Sequence, residues 1–436
     1  MTHKTWLNIK VSLQLLISLK SLLISTFDVR GGAARAAYRL HNGLRMIGID
    51  STMLVQEKSS DDWTVLAPKT RIQMGIAKTR ATIDSLPLRF YTRFDNYGRF
   101  FPQWLPDSLP NQVKQIKPDI INLHWISGGF VQIETLSRFK QPLVWTLHDM
   151  WAFTGGCHSS QECDRYISNC GNCPQIHSKQ DKDLSRWVWE RKSKAWNSLD
   201  LTIVTPSKWL ADVARKSSLL TDYSIHVIPH GLDIKSYRPI ESKLARDLLN
   251  LPQDKYLILF GAMRATSDFN KGWQFLQPTL HRLKQSGWQD KVEVVIFGVS
   301  TPEVPLDMGF PCHYLGKLHD DLNLAVMYAA ADVTLVPSKQ ESFGQTASES
   351  LACGTPVVAF GATGLLDIVT HQSNGYLAIP FDCDDLANGI NWVLADPHRH
   401  QNLRVAARKK AEQEFDQLLQ AQRYQELFHK ILNLPN

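Results

Sequence analysis

The chain has 436 residues, 43% of them hydrophobic and 21% charged, with a formal net charge of +6. That length exceeds one compact core and suits two domains of roughly 200 residues each, and the apolar content argues against extensive disorder. The positive balance is mild and no Lys/Arg block is present, which excludes a nucleic-acid arm and leaves an anionic ligand or an anionic membrane surface as charge-favoured partners.

Residues 1–20 combine a basic flank with a short apolar run. They lack a small-residue cleavage site, and a cut near the usual position would remove the apolar strand Ser21–Thr26, so a signal peptide is not expected. Lys10 and Lys20 interrupt the run, which is too short to span a bilayer. The segment reads as an N-terminal extension, with interfacial attachment as the alternative. Elsewhere no uninterrupted apolar segment approaches ~18 residues, so the expectation is a cytoplasmic protein, soluble or peripheral at the inner face of the membrane.

From Ser21 onward, short apolar runs alternate with longer amphipathic segments, the pattern of β-α-β units on a parallel sheet. The first series has strand candidates Ser21–Thr26, Ser51–Val55, Ile120–Leu123, Leu143–Thr146, Leu201–Val204 and His226–Ile228. Between the first two, Ala34, Ala37, Leu40 and Leu44 recur at helical spacing. The second series has Tyr256–Gly261, Val292–Phe297, His313–Leu315, Val333–Val336, Pro356–Ala359 and Gly375–Leu377. Residues 21–235 and 254–414 are thus expected as two doubly wound, Rossmann-like α/β domains facing across a cleft. The polar stretch 236–253, with Pro239 and Pro252, is expected as their linker. Helices are expected at Leu386–Leu394 and His400–Glu414, broken at Asp396-Pro397. Residues 415–436 hold a further helix that could pack back on the first domain.

Ligands of such sheets bind beyond the carboxyl ends of the strands. After the first strand, Gly31-Gly32 enters a helix, where backbone N–H groups can approach an anion; a plain tight turn is the equally favoured alternative. After the first strand of the second series come Arg264 and Lys271-Gly272, a planar fork and a mobile point charge able to clamp a diphosphate. After Val333–Val336 comes Glu341-Ser-Phe-Gly-Gln-Thr-Ala-Ser-Glu349, with Glu341 on a loop and Glu349 inside the helix Gln345–Ala352. The two carboxylates suit hydroxyl pairs of a sugar and a ribose. In the first series His148 ends a buried strand and can exchange a proton with a ligand hydroxyl. His124 is a second candidate with a weaker claim.

Taken together these loops resemble the retaining, nucleotide-sugar-dependent glycosyltransferases of family four, with the two-domain GT-B fold. The resemblance rests on Glu341 to Glu349, Gly354-Thr-Pro356, Gly361-Ala-Thr-Gly364, Thr205-Pro206-Ser207-Lys208, Pro229-His230-Gly231 and Arg264 with Lys271-Gly272. The Gly31-Gly32 turn and the His148-Asp-Met-Trp151 segment with its cysteines are similar to a subgroup of exopolysaccharide and lipopolysaccharide assembly, the colanic-acid type. His230 departs from the Asn more usual at its position. The resemblance implies that Arg264 and Lys271 hold the donor diphosphate. It implies that Glu349 binds the ribose and Glu341 the donor sugar, with Phe343, Gly344 and Gln345 near sugar or phosphate. His148 would lie near donor and acceptor, and Gly31 and Gly32 near the diphosphate or acceptor. It implies transfer to a saccharide or lipid-linked saccharide with no cofactor required for catalysis.

Cys157, Cys163, Cys170 and Cys173 crowd one loop of the first domain, and the last pair has metal-type C-x-x-C spacing. Four thiolates can close a structural zinc site; disulfides and unmodified thiols are the other uses. Competing functions are a GT-B sugar-nucleotide epimerase or phosphorylase and a catalytically silent, nucleotide-binding GT-B subunit.

Overall fold

The computed structural model describes residues 19–91, 100–261, 268–303, 307–318 and 320–435. Its first sheet is formed by β1 (Lys20–Phe27), β2 (Asp50–Glu57), β3 (Val65–Leu66), β4 (Ile120–Leu123), β5 (Leu143–Thr146), β6 (Leu201–Thr205) and β7 (Ser224–Val227). They pair in the order β3-β2-β1-β4-β5-β6-β7, every pair parallel. The second sheet is formed by β8 (Tyr256–Gly261), β9 (Val292–Phe297), β10 (Cys312–Gly316), β11 (Val333–Val336), β12 (Val357–Phe360) and β13 (Gly375–Ala378). Its order is β10-β9-β8-β11-β12-β13, again parallel throughout.

Helices cover both faces of each sheet, so successive residues of a central strand are buried: Leu22, Leu23 and Ile24 are all fully buried. The edges were harder to read. β7 is only partly covered, and its strand begins two residues before the expected His226. β3 is two residues long, too short for a periodic signal. Lys20 opens β1, so it belongs to the first domain and not to the extension; residues 1–18 lie outside the described residues.

The expected linker 236–253 contains a helix, Ser242–Leu249. Its Ala245 is fully buried and its Arg246 bridges Asp332 at 2.8 Å. The polar residues that suggested a linker are the solvent side of a helix packed on the second domain. Asp396 caps the helix Pro397–Glu414, with Pro397 at its first position, where a missing N–H costs nothing.

The chain crosses between domains twice, at one place. The Leu232 amide donates to Phe415 O at 2.8 Å, and the Gln417 amide donates to Leu232 O at 3.0 Å. The last helix, Gln417–Leu432, then lies on the first domain, its Ala421, Tyr424, Leu427 and Phe428 packed in one core with Leu23, Leu40 and Val144. A Cβ at Gly43 would stand 2.8 Å from Gln417 O, so this close approach depends on glycine.

Candidate active site in the interdomain cleft

Each sheet reverses its winding between two neighbours, β1 and β4 in the first and β8 and β11 in the second. The segments that follow β1, β4 and β11, with residues 268–272 beyond β8, meet in the cleft, as this topology requires. After β1, Gly31 has φ +96, a conformation that favours glycine. It turns the chain into the helix Gly32–Met46, and Gly32 O accepts from Gln345 Nε2 at 2.8 Å across the cleft.

The loop after β11 is braced from below. The Gly364 amide donates to Glu341 O at 2.9 Å, and the Glu341 amide donates to Thr363 Oγ1 at 3.0 Å. A Cβ on Gly364 would meet Ser342 O and Phe343 N at 2.7 and 2.8 Å, which gives the Gly361–Gly364 motif its purpose. Gly344, at φ +107, then starts the helix Gln345–Ala352. Phe343 is buried.

Lys271 Nζ donates to Glu341 Oε1 at 2.7 Å, and Ser338 Oγ donates to the same oxygen at 3.0 Å. The sequence reading assigned the two charges to separate parts of a ligand; the structure pairs them. Gly272 permits it, since a Cβ there would overlap Pro337 O at 1.8 Å. Arg264 lies outside the described residues.

Glu349 is 5% exposed, and both its oxygens are engaged: Oε1 accepts from Arg39 Nη2 at 2.8 Å and Oε2 from the Tyr328 hydroxyl at 3.1 Å. Arg39 also donates to the Tyr237 hydroxyl at 3.0 Å, and that hydroxyl donates to Asp321 Oδ1 at 3.0 Å. Arg35 pairs with Asp321 as well. Burial pulls the Arg39 guanidinium down, but Glu349, Tyr237 and Asp321 outweigh it and hold the group charged. Burial raises the Asp321 carboxyl, and Arg39 with Arg35 more than reverse that, leaving it below the usual range. Arg39, Tyr237, Asp321 and Tyr328 were not singled out in the sequence. The available signal was Arg35 and Arg39, one helical turn apart on an otherwise alanine-rich helix directly after the glycine turn.

The first domain contributes rings. His124, after β4, and His148, after β5, face each other with Nδ1 and Nε2 3.0 Å apart. His148 stacks on His230 with centroids 4.9 Å apart, and His230 meets the edge of Phe343 at 5.1 Å. Burial lowers all three imidazoles, His148 to about 3 and the others well below the ordinary value, so they are neutral near pH 7. Asp149 accepts from Trp125 Nε1 and the Trp151 amide, each at 2.8 Å.

Cys157, Cys163, Cys170 and Cys173 line one small pocket and form no disulfide. The Gly155 amide donates to Cys170 Sγ at 3.1 Å. Among the described residues no group of three His, Cys, Asp or Glu stands where it could hold a metal ion.

Two parallel Rossmann-like sheets facing across such a cleft define the GT-B fold. Residues 30–236 match the family model described as Glycosyltransferase Family 4, and residues 268–410 match that described as Glycosyl transferases group 1, so the chain carries both domains of this glycosyltransferase class. A D-inositol 3-phosphate glycosyltransferase of Xylanimonas cellulosilytica is 29% identical over 66% of this chain and 67% of its own length. Six further enzymes of that name align over 43–66% of their own lengths, so the chain spans less than two thirds of most of these curated relatives. These names differ from the exopolysaccharide subgroup expected from the sequence. Among solved structures, sucrose-phosphate synthase from Thermosynechococcus elongatus superposes with a TM-score of 0.67 at 20% identity, over 95% of this chain and 99% of that one. Anabaena HepE in complex with UDP and glucose gives 0.63 at 18%, over 94% and 100%. Among the described residues no helix is long and apolar enough to cross a membrane.

Proposed function

We propose that the chain is a retaining glycosyltransferase moving a sugar from a nucleoside diphosphate sugar to a saccharide or lipid-linked saccharide of the cell surface. One observation carries the reading: Lys271, Glu341 and Glu349, at the carboxyl ends of second-domain strands, face the Gly31-Gly32 turn and His148 of the first domain. UDP and glucose in the HepE complex support the donor class. Breaking the anomeric C–O bond leaves an oxocarbenium-like carbon and a more negative diphosphate. Lys271 and Arg264 would stabilise that charge more in the transition state than in the ground state, so the chemistry has no need of a divalent metal. Same-face attack, with the departing phosphate taking the acceptor proton, requires no glycosidase-type carboxylate pair. Glu349 would receive the ribose diol once Arg39 gives way. Phe343, Gly344 and Gln345 would line the sugar and phosphate.

Incubation with a panel of nucleotide sugars tests this. Free nucleoside diphosphate should appear only with an acceptor present and should persist in excess EDTA. Saccharide acceptors and inositol 3-phosphate are separate arms, because the relatives bear the second name. Release without any acceptor, or binding without release, would favour the epimerase or the silent subunit.

Peripheral attachment to the inner membrane face is part of the proposal. The helix Arg71–Asp84 and the turn after it expose Ile72, Ile76, Ile83 and Phe90 beside exposed Lys69, Arg71, Lys78 and Arg89. No carboxylate occurs between Asp62 and Asp84. Such a face suits an anionic bilayer, and co-sedimentation with anionic but not neutral vesicles would support it.

A structural zinc ion in the cysteine loop is a separate proposal, supported by four soft ligands around one cavity. Binding would require the sulfurs to draw together from their present spacing. Metal analysis of protein purified under reducing conditions decides it: four titratable thiols without zinc remove the idea.

A further inference from the structure

We infer that His124 is a positioning residue: it donates from Nδ1 to Nε2 of His148 and so fixes His148 as a hydrogen-bond donor, through Nδ1–H, to an oxygen of the bound ligand. Its functional meaning rests on the transfer reaction proposed above. The protonation pattern itself belongs to the unliganded protein.

The two facing nitrogens are 3.0 Å apart, so one carries a proton and the other accepts it. If His148 Nε2 were the donor, the proton of neutral His124 would have to sit on its own Nε2. That atom is sealed from solvent and has no hydrogen-bond partner among the described residues. A buried N–H without an acceptor is among the rarest defects in folded proteins, and a bare acceptor is better tolerated. The proton therefore belongs on His124 Nδ1, and Nε2 keeps its lone pair. A second proton on the pair is opposed by burial and by the neighbouring imidazoles.

His148 must then hold its own proton on Nδ1. His148 is half-buried, and among the described residues its Nδ1 has no hydrogen-bond partner and is not sealed from solvent. The ring cannot easily turn, because His230 stacks on it at 4.9 Å and 26°. A ligand atom meeting Nδ1–H must offer a lone pair, as a hydroxyl or phosphate oxygen does. A hydroxyl that had to surrender its proton would find no acceptor there. His148 thus holds an oxygen in place and is not the base, which agrees with an acceptor proton leaving on the phosphate.

The test is nitrogen NMR of the full chain labelled with 15N-histidine. His148 is expected to be protonated at Nδ1 and bare at Nε2, with His124 the same. His124→Asn keeps an N–H donor near the place of Nδ1 and should preserve both the pattern and turnover. His124→Asp puts an acceptor where the donor stood, so His148 Nε2 should gain a proton, and transfer should fall by about 10²-fold, the order expected for a misplaced contact. A proton on His148 Nε2 in the unmodified protein overturns the inference. So does a His124→Asp protein that loses turnover while His148 keeps its pattern, since the role would then be structural. If the pattern is as expected and no donor sugar is ever transferred, the proposed reaction fails and the assignment of His124 stands.

Discussion

The two walls of the cleft are made of different material. The second domain supplies charges that are already paired, Lys271 with Glu341 and Glu349 with Arg39 reaching across from the first domain. The first domain supplies neutral rings, His124 and His148, held against each other and against His230. Paired charges in a partly dry cleft stay charged and become available when a ligand exchanges with the partner. Stacked neutral rings fix orientation without adding a field. In the proposed reaction the charged wall would take the phosphate end of a donor and the ring wall would orient hydroxyls.

The sharpest way to break that division is Lys271→Ala. Removing a preorganised charge at the leaving group should lower turnover by about 10²–10³-fold with the unfolding midpoint nearly unchanged, read by single-turnover assay beside a denaturant curve. Equal losses from Lys271→Ala and His148→Ala would erase the distinction between walls. Next comes Glu349→Ala, which leaves Arg39 buried beside Tyr237 and Asp321 without its main partner. It should cost about 3 kcal/mol in urea unfolding, and a much smaller loss would mean that Asp321 takes the guanidinium over. Gly43→Val probes the tie between the walls. Its branched side chain must push into Gln417 O, costing about 1–3 kcal/mol, with hydrogen exchange expected to quicken first in the helix Gln417–Leu432.

The last effect is absent near neutrality and develops only on acidification. His148 titrates at about 3 in the fold, against 6.5 in an unfolded chain. As pH falls below 6.5 the unfolded form binds a proton that the native form refuses. The stability His148 contributes is therefore complete above 6.5 and is lost on acidification toward 3. His148→Asn should flatten the fall in thermal midpoint across that range, and an unchanged slope would show that the ring wall is not what acid attacks.

Much of the cleft was legible because its features lie close together along the chain. Glu341, Gly344 and Glu349 occupy one strand–loop–helix unit and Gly364 follows the very next strand, so their spacing carries their geometry. Gly31-Gly32 and Lys271-Gly272 mark strand exits in the same way. What could not be read spans the chain. Arg39 finds Glu349 across 310 residues, and Tyr237 finds Asp321 across 84. The Lys271–Glu341 pair was not foreseen for a related reason, since two loops on neighbouring strands become partners only when the strand order β8-β11 is known. The helix Ser242–Leu249 was hidden by its polar outer face. His124 drew only a weak claim because its role comes from His148, on the adjacent strand's loop.

The two crossings at Leu232 and Phe415–Gln417 have a mechanical consequence. A pair of domains joined by one strand of chain can swing in any direction, whereas two strands side by side, tied amide to carbonyl, behave like the knuckles of a door hinge. Opening is then confined to rotation about one line. A proteolytic cut just beyond Glu414 would do more than nick the chain: it would part the last helix, still seated on the first domain, from the second domain and leave the door on a single pin.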